Sequence, residues 1–147
     1  MDGTNQLANR CALITGASQG FGFEVARAFV AAGAHVVLCA RGVDRLELAG
    51  RELAALAAGR CRVEIVPADV SRPDEMERLM SATLDKLGGL DIVVANAGVY
   101  GPKGPIEAVD WDEWRQAIEG RRISASPGLQ QTGDFRRLSE ARHWSVL

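Results

Sequence analysis

The sequence predicts a doubly wound α/β fold, with helices on both faces of a parallel sheet, and three features carry that prediction. Apolar runs of five or six residues alternate with longer stretches of helical period through residue 119. The first run passes straight into a glycine-rich turn, "TGASQGFG" at 15–22, and then into a helical pattern. Every strand-to-strand connection is long enough for a helix, so neighbouring strands pair in parallel through right-handed crossovers.

Taken in order, "CALIT" (11–15) is short and uninterrupted in its apolar character, a buried strand. A helix follows from about Gly20 to Ala32, with Val25, Ala26, Phe29 and Val30 on one side. Gly33 stands where a helix C-terminus favours a left-handed residue. "HVVLCA" (35–40) is a second strand, apolar after His35 as burial on both faces requires. Asp44 and Glu47 form a D-x-x-E pattern, which predicts a cap for a helix carrying Leu46, Ala49, Leu53 and Leu56 and stopping at Gly59. "CRVEIV" (61–66) alternates apolar and charged residues, as suits a strand at a sheet edge.

Ser71 is the predicted cap of a third helix, with Pro73 in its first turn. Met76, Leu79, Met80, Thr83 and Leu87 follow at helical spacing. "LDIVVA" (90–95) is the fourth strand. Beyond the loop "GVYGPKGP", "DWDEWRQAIE" (110–119) opens on another D-x-x-E pattern and reads as a further helix.

Periodicity stops at Gly120. Residues 1–119 carry a net charge of −5, whereas residues 120–147 carry +3 and no repeat. The chain therefore divides into a domain at 1–119 and an irregular tail at 120–147. The tail's charges are too sparse for a basic nucleic-acid arm, so a poorly ordered tail is expected.

Composition narrows the function classes. With 47% hydrophobic and 24% charged residues in 147, the chain reads as soluble and globular. A net charge of −2 points to neither nucleic acid nor an anionic membrane as partner. No apolar run reaches spanning length, and "MDGTNQLANR" lacks the pattern of a signal peptide, so a cytoplasmic location is expected. Cys11, Cys39 and Cys61 are far apart without CxxC spacing and read as buried, reduced thiols rather than metal ligands. His35 and His143 have no ligand partners nearby in sequence; His35 reads as structural, and no metal site is expected.

The chemistry concentrates in "LITGASQGFG". Glycines at a strand-to-helix turn let the backbone approach a pyrophosphate, and the helix N-terminus adds unpaired N–H groups and a positive dipole. A tight turn alone also favours glycine. The spacing T-G-x-x-x-G-x-G resembles the cofactor motif of the classical short-chain dehydrogenase/reductase family. "NAG" (Asn96, Ala97, Gly98) after the fourth strand is similar to that family's NNAG, with Ala95 at the first Asn. "ADV" (Ala68–Val70) follows the third strand, where a family Asp meets the adenine. "DWDEW" resembles the start of the long helix after the fourth strand, so the resemblance runs from residue 9 to about 119.

That resemblance implies an incomplete Rossmann-type sheet of about four strands in the order 3-2-1-4. It also implies an oxidoreductase acting on a carbonyl or secondary alcohol, of the 3-oxoacyl-thioester reductase kind. The residues it assigns to the cofactor are Gly16, Ser18, Gln19, Gly20, Phe21, Gly22, Arg41, Asp69, Val70, Asn96, Ala97 and Gly98. Phe21 replaces the family's usual Ile, where the backbone N–H is what matters. NAD-binding relatives carry an acidic group just past the second strand, but here "VVLCAR" ends in Arg41 and the first carboxylate is Asp44. NADP is thus expected over NAD, a solvated surface Arg being the plainer alternative. Ser18 adds a hydroxyl for the same phosphate or ribose. Asp69 is equally consistent with turn chemistry before Ser71, and Asn96 with holding neighbouring strands together.

No catalytic residue carries over. Family members use a Tyr-x-x-x-Lys pair, a Ser and an Asn, the Tyr hydroxyl protonating the carbonyl oxygen as hydride arrives. Tyr100 is the one tyrosine, and four residues on stands Gly104; Lys103 is three away, and Lys86 is on the third helix. Gly120-Arg121-Arg122 stands where the catalytic Asn is expected. The break at 120 reads as a truncated frame, with an evolved short form as the other account. A nucleotide-binding module without catalysis is therefore the second functional reading. An uncovered fourth strand also leaves the chain open to self-association.

Overall fold

The computed structural model describes residues 5–97. Seven elements alternate strictly: β1 (Cys11–Thr15), α1 (Gly20–Ala31), β2 (His35–Ala40), α2 (Val43–Ala57), β3 (Val63–Pro67), α3 (Pro73–Leu87) and β4 (Ile92–Val94). The strands form one sheet in the order β3-β2-β1-β4, as the sequence predicts. All three pairings are parallel, so every strand ends at the same edge.

Side-chain alternation explains the two covered faces. Ala12, Ile14, Val36 and Leu38 turn to one face, where they meet Ala26 and Val30 of α1 and Leu46, Ala49 and Leu53 of α2. Leu13, Val37 and Cys39 turn to the other, against Met76, Leu79, Met80 and Leu87 of α3. All five residues of β1 are buried because it has cover on both sides. β3 lies at an edge and is half-buried along most of its length. Pro67 ends it, a tolerable place for a residue without an N–H.

Several boundaries differ from the sequence expectation, each for a local reason. Asp44 does not cap α2: the N-cap is Gly42, and Asp44 lies inside the first turn. There its charge complements the helix dipole instead. Ser71 does not cap α3 either, since Arg72 is the N-cap and Pro73 the first helical residue. The Ser71 hydroxyl donates to Asp69 Oδ1 at 2.6 Å. β3 begins two residues later than expected, because the Arg62 N–H donates at 2.9 Å to Nδ1 of His35. That bond gives His35 its structural role.

β4 is shorter than "LDIVVA" suggests. The Asp91 N–H donates to the Cys11 carbonyl at 2.8 Å, while Asp91 Oδ2 accepts the Cys11 N–H at 2.9 Å. At the other end, the Thr15 hydroxyl draws Asn96 out of the ladder. Cys11, Cys39 and Cys61 are buried free thiols. Among the described residues no group of acidic, Cys or His side chains could hold a metal, and no helix is long and apolar enough to cross a membrane. The helix expected at 110–119 and the tail at 120–147 lie outside the described residues.

Candidate functional site

The shared C-terminal edge of the strands gathers four short loops: residues 16–19 after β1, 41–42 after β2, 68–72 after β3 and 95–97 after β4. The chain steps outward from β1 to β2 and β3, and the connection through α3 then crosses back to place β4 on the other side of β1, so a crevice opens where the strand order reverses.

Thr15 organises the centre of this edge. Its side chain is only 3% exposed. Oγ1 accepts the N–H groups of Asn96 at 3.1 Å and Ala97 at 3.0 Å, and donates to the Val94 carbonyl at 3.4 Å. Asn96 Nδ2 donates to the Gly16 carbonyl at 3.3 Å. The Asn96 amide thus holds the β4 loop to the glycine turn, the structural role its sequence context allowed. The Ala17 N–H donates to the Cys39 carbonyl at 3.1 Å, which ties the same turn to β2.

The glycines differ in what they permit. Gly16 has a left-handed φ of +64°, and a Cβ there would stand 2.9 Å from Cα of Ala97. A Cβ on Gly22 would collide with the Gly16 carbonyl oxygen and approach Asn96 Nδ2 to 2.5 Å. Gly20, at φ +62°, faces open space. Gln19, the N-cap of α1, makes no side-chain bond to the helix, so no side chain covers the first-turn N–H groups. Its Oε1 instead accepts a hydrogen bond from Arg45 Nη1. Ser18 is half-buried, and Phe21 projects outward at 62% exposure.

Arg41 is exposed just past β2, and Arg45 follows one turn later on α2. Asp69 and Val70 lie on the neighbouring loop. Asp69 Oδ1 accepts both the N–H of Ser71 at 3.0 Å and its hydroxyl. These two bonds, the hydroxyl's first, hold the Asp69 carboxyl below its ordinary range, with Arg41 and Arg72 adding smaller contributions of the same sign. Under this loop the Cys39 thiol faces the Ala68 carbonyl, and burial pushes its pKa up to about 12, so it is inert.

Gly16, Ser18, Gln19, Gly20, Phe21, Gly22, Asn96 and Ala97 therefore surround one turn, while Arg41, Asp69 and Val70 flank it; Gly98 lies outside the described residues. Three residues at this edge carried no role in the sequence reading. Thr15 signals itself as a polar residue ending an apolar strand and as the first residue of the T-G-x-x-x-G-x-G pattern, Arg45 as the second cation four residues after Arg41, and Glu75 as an acid in the first turn of α3.

Comparison with known proteins follows the same outline. The family model described as short chain dehydrogenase matches residues 10–125. The 1-deoxy-11-beta-hydroxypentalenate dehydrogenase of Streptomyces exfoliatus is 40% identical over 114 residues, 77% of this chain and 40% of that protein. The L-fucose dehydrogenase of Oryctolagus cuniculus is 37% identical over 112 residues, 76% of this chain and 37% of that protein. Among solved structures, L-sorbose reductase from Gluconobacter frateurii, complexed with NADPH and L-sorbose, superposes with a TM-score of 0.75 at 33% identity, covering 87% of this chain and 47% of that one. The chain thus spans about 40% of the length of these curated relatives.

Proposed function

The chain belongs to the short chain dehydrogenase family, and from that premise we propose that it carries the cofactor-binding part of an NADP-dependent oxidoreductase interconverting a carbonyl and a secondary alcohol. The residues fit a dinucleotide. Gly20 leaves open the space a Cβ would fill, and the α1 N-terminus beside it has no side-chain cap; both suit a pyrophosphate drawn close to backbone donors. Gly16, Ser18, Gly20, Phe21 and Gly22 would hold that group, Asp69 and Val70 the adenine, and Asn96 with Ala97 and Gly98 would border the nicotinamide side. When bound, the nicotinamide ring supplies or accepts hydride. The small-molecule substrates of the dehydrogenases and reductases it resembles support the alcohol or carbonyl class. A cytoplasmic setting accords with this reading.

The observation that carries the choice of NADP is Arg41, an exposed guanidinium immediately past β2 where no carboxylate stands. A charge-assisted bond to a 2′-phosphate amounts to about 1.5–3 kcal/mol when shielded. At an exposed position screening lowers that, so about a tenfold preference for NADP is expected. Titration of the purified chain with both cofactors tests it, at low and high salt, alongside Arg41→Ala and Arg41→Asp. Arg41→Ala should weaken NADP about tenfold and leave NAD unchanged, and Arg41→Asp should reverse the preference. Equal weakening of both cofactors, or a wild type preferring NAD, removes the assignment.

The absence of a Tyr-x-x-x-Lys pair from the 147 residues favours a second reading of this chain, binding without turnover. NADPH oxidation against a panel of carbonyl compounds separates the two. Turnover that survives Tyr100→Phe would sink the second reading.

A further inference from the structure

We infer that Glu75 is a positioning residue for the adenine end of the dinucleotide, fixing the loop after β3 so that one donor and one acceptor stay available to the base. The inference rests on the cofactor reading above and adds to it a residue from α3.

The polar groups of this loop can be accounted for one at a time. The Ala68 N–H donates to the Ala40 carbonyl at 3.1 Å, which fastens the loop to β2. The Asp69 N–H donates to Glu75 Oε2 at 2.6 Å. The Ser71 N–H and hydroxyl both donate to Asp69 Oδ1, and the Arg72 N–H donates to the Asp69 carbonyl at 3.1 Å. Among the described residues this leaves the Val70 N–H without an acceptor and Asp69 Oδ2 without a donor. Adenine offers on its pairing edge an acceptor, N1, beside a donor, the N6 amino group. The loop offers the complement.

Glu75 is suited to hold that arrangement. It is the third residue of α3, where a Glu side chain reaches back towards the chain entering the helix. Here it passes the N-cap and takes the N–H of Asp69, six residues earlier. Its other oxygen lies 3.6 Å from Arg72 Nε and 4.0 Å from Arg78 Nη2, and the side chain is 22% exposed. The carboxylate is thus tethered from two sides. Without it, the Ala68–Asp69 peptide, which carries the bonded N–H, would lose its link to α3 and be free to tilt about Asp69, shifting the Asp69 carboxylate out of register with the Val70 N–H.

The test compares NADPH with its hypoxanthine counterpart, in which N1 carries a proton and position 6 an acceptor oxygen, the reverse of adenine. Binding to the full chain is followed by cofactor fluorescence for wild type, Glu75→Ala, Glu75→Gln and Asp69→Ala, each checked by thermal melting. Wild type should prefer the adenine form. Glu75→Ala should reduce that preference about fivefold, the size of one ordinary hydrogen bond, with little change for the hypoxanthine form. Glu75→Gln, whose amide oxygen still accepts, should restore the preference. If Glu75→Ala weakens both forms equally, or leaves the preference intact while Asp69→Ala abolishes it, the inference is overturned and the adenine reading stands. A wild type that binds the two forms alike, matched by Asp69→Ala, overturns the adenine reading and the inference together.

Discussion

Replacing Thr15 with Val keeps the shape of a buried side chain and removes the one hydroxyl that joins the end of β1 to the β4 loop. The Ala97 N–H loses its acceptor, the Asn96 N–H keeps only the Val94 carbonyl at 3.1 Å, and that carbonyl loses a long 3.4 Å donor. A fully buried orphan donor costs about 1–3 kcal/mol. Ala97 is half-buried, which sets its orphaned donor near the lower end, about 1 kcal/mol, and the weakened bonding of Asn96 adds a smaller loss. The added methyl returns somewhat under 1 kcal/mol of burial. The net expectation is a loss of about 0.5–1 kcal/mol, which at an m-value of about 1–3 kcal/mol/M lowers the urea midpoint by roughly 0.5 M with m unchanged. Amide hydrogen exchange gives the local readout: Ala97 should exchange faster in Thr15→Val and remain protected in Thr15→Ser, while Asn96, still bonded to the Val94 carbonyl, should change less. A midpoint unmoved in Thr15→Val, with the Ala97 amide still protected, would refute the assignment of Thr15 as the junction between β1 and the β4 loop.

Other perturbations probe the rest of the edge. Gly22→Ala drives a Cβ into the Gly16 carbonyl and to 2.5 Å from Asn96 Nδ2; it should lower the melting temperature and abolish dinucleotide binding, and a folded variant with wild-type affinity would contradict the close packing. The Asp69 carboxyl lies below its ordinary 3.8 mainly because Ser71 donates to it. A depressed folded pKa adds stability above the unfolded value, and that stability is lost as pH falls through the folded one. Asp69→Asn should therefore flatten the acid limb below about pH 4 and leave the slope between about pH 5 and 8 unchanged; an altered slope near neutrality would count against it. Among the described residues β4 pairs only with β1, and none of them pairs with its outer edge. The isolated chain is expected to self-associate, and a monodisperse monomer by light scattering at micromolar concentration would disprove it.

Much of this fold was legible because double-sided burial writes itself into short stretches. β1 and β2 are apolar almost throughout, and the structure reproduces their bounds residue for residue. Glycine at a helix end was legible for the same local reason: Gly33 and Gly59 both have positive φ. The caps were not. A D-x-x-E pattern fits more than one helical register, and α2 starts one residue before Asp44, at Val43. Ser71 had two acceptable tasks, capping or bonding Asp69, and Pro73 decides between them by making Arg72 the N-cap.

What the sequence could not show at the candidate site are partnerships across long separations. Thr15 meets Asn96 and Ala97 from 81 and 82 residues away, and Arg45 reaches Gln19 across 26. Sequence spacing says nothing of these until the strand order brings β4 beside β1. The partnerships also sort the edge into two kinds of residue. Thr15, Asn96 and Glu75 are engaged with the chain itself and keep the loops in place. The uncapped first turn of α1, the open face of Gly20 and the exposed guanidinium of Arg41 face outward instead. A motif match alone does not separate these two groups, since Asn96 and Gly20 belong equally to the family pattern. Hydrogen-bond accounting does separate them, and it predicts different failures. Loss of an inward residue should lower stability and binding together, whereas loss of Arg41 should change which cofactor binds and leave the melting temperature where it was.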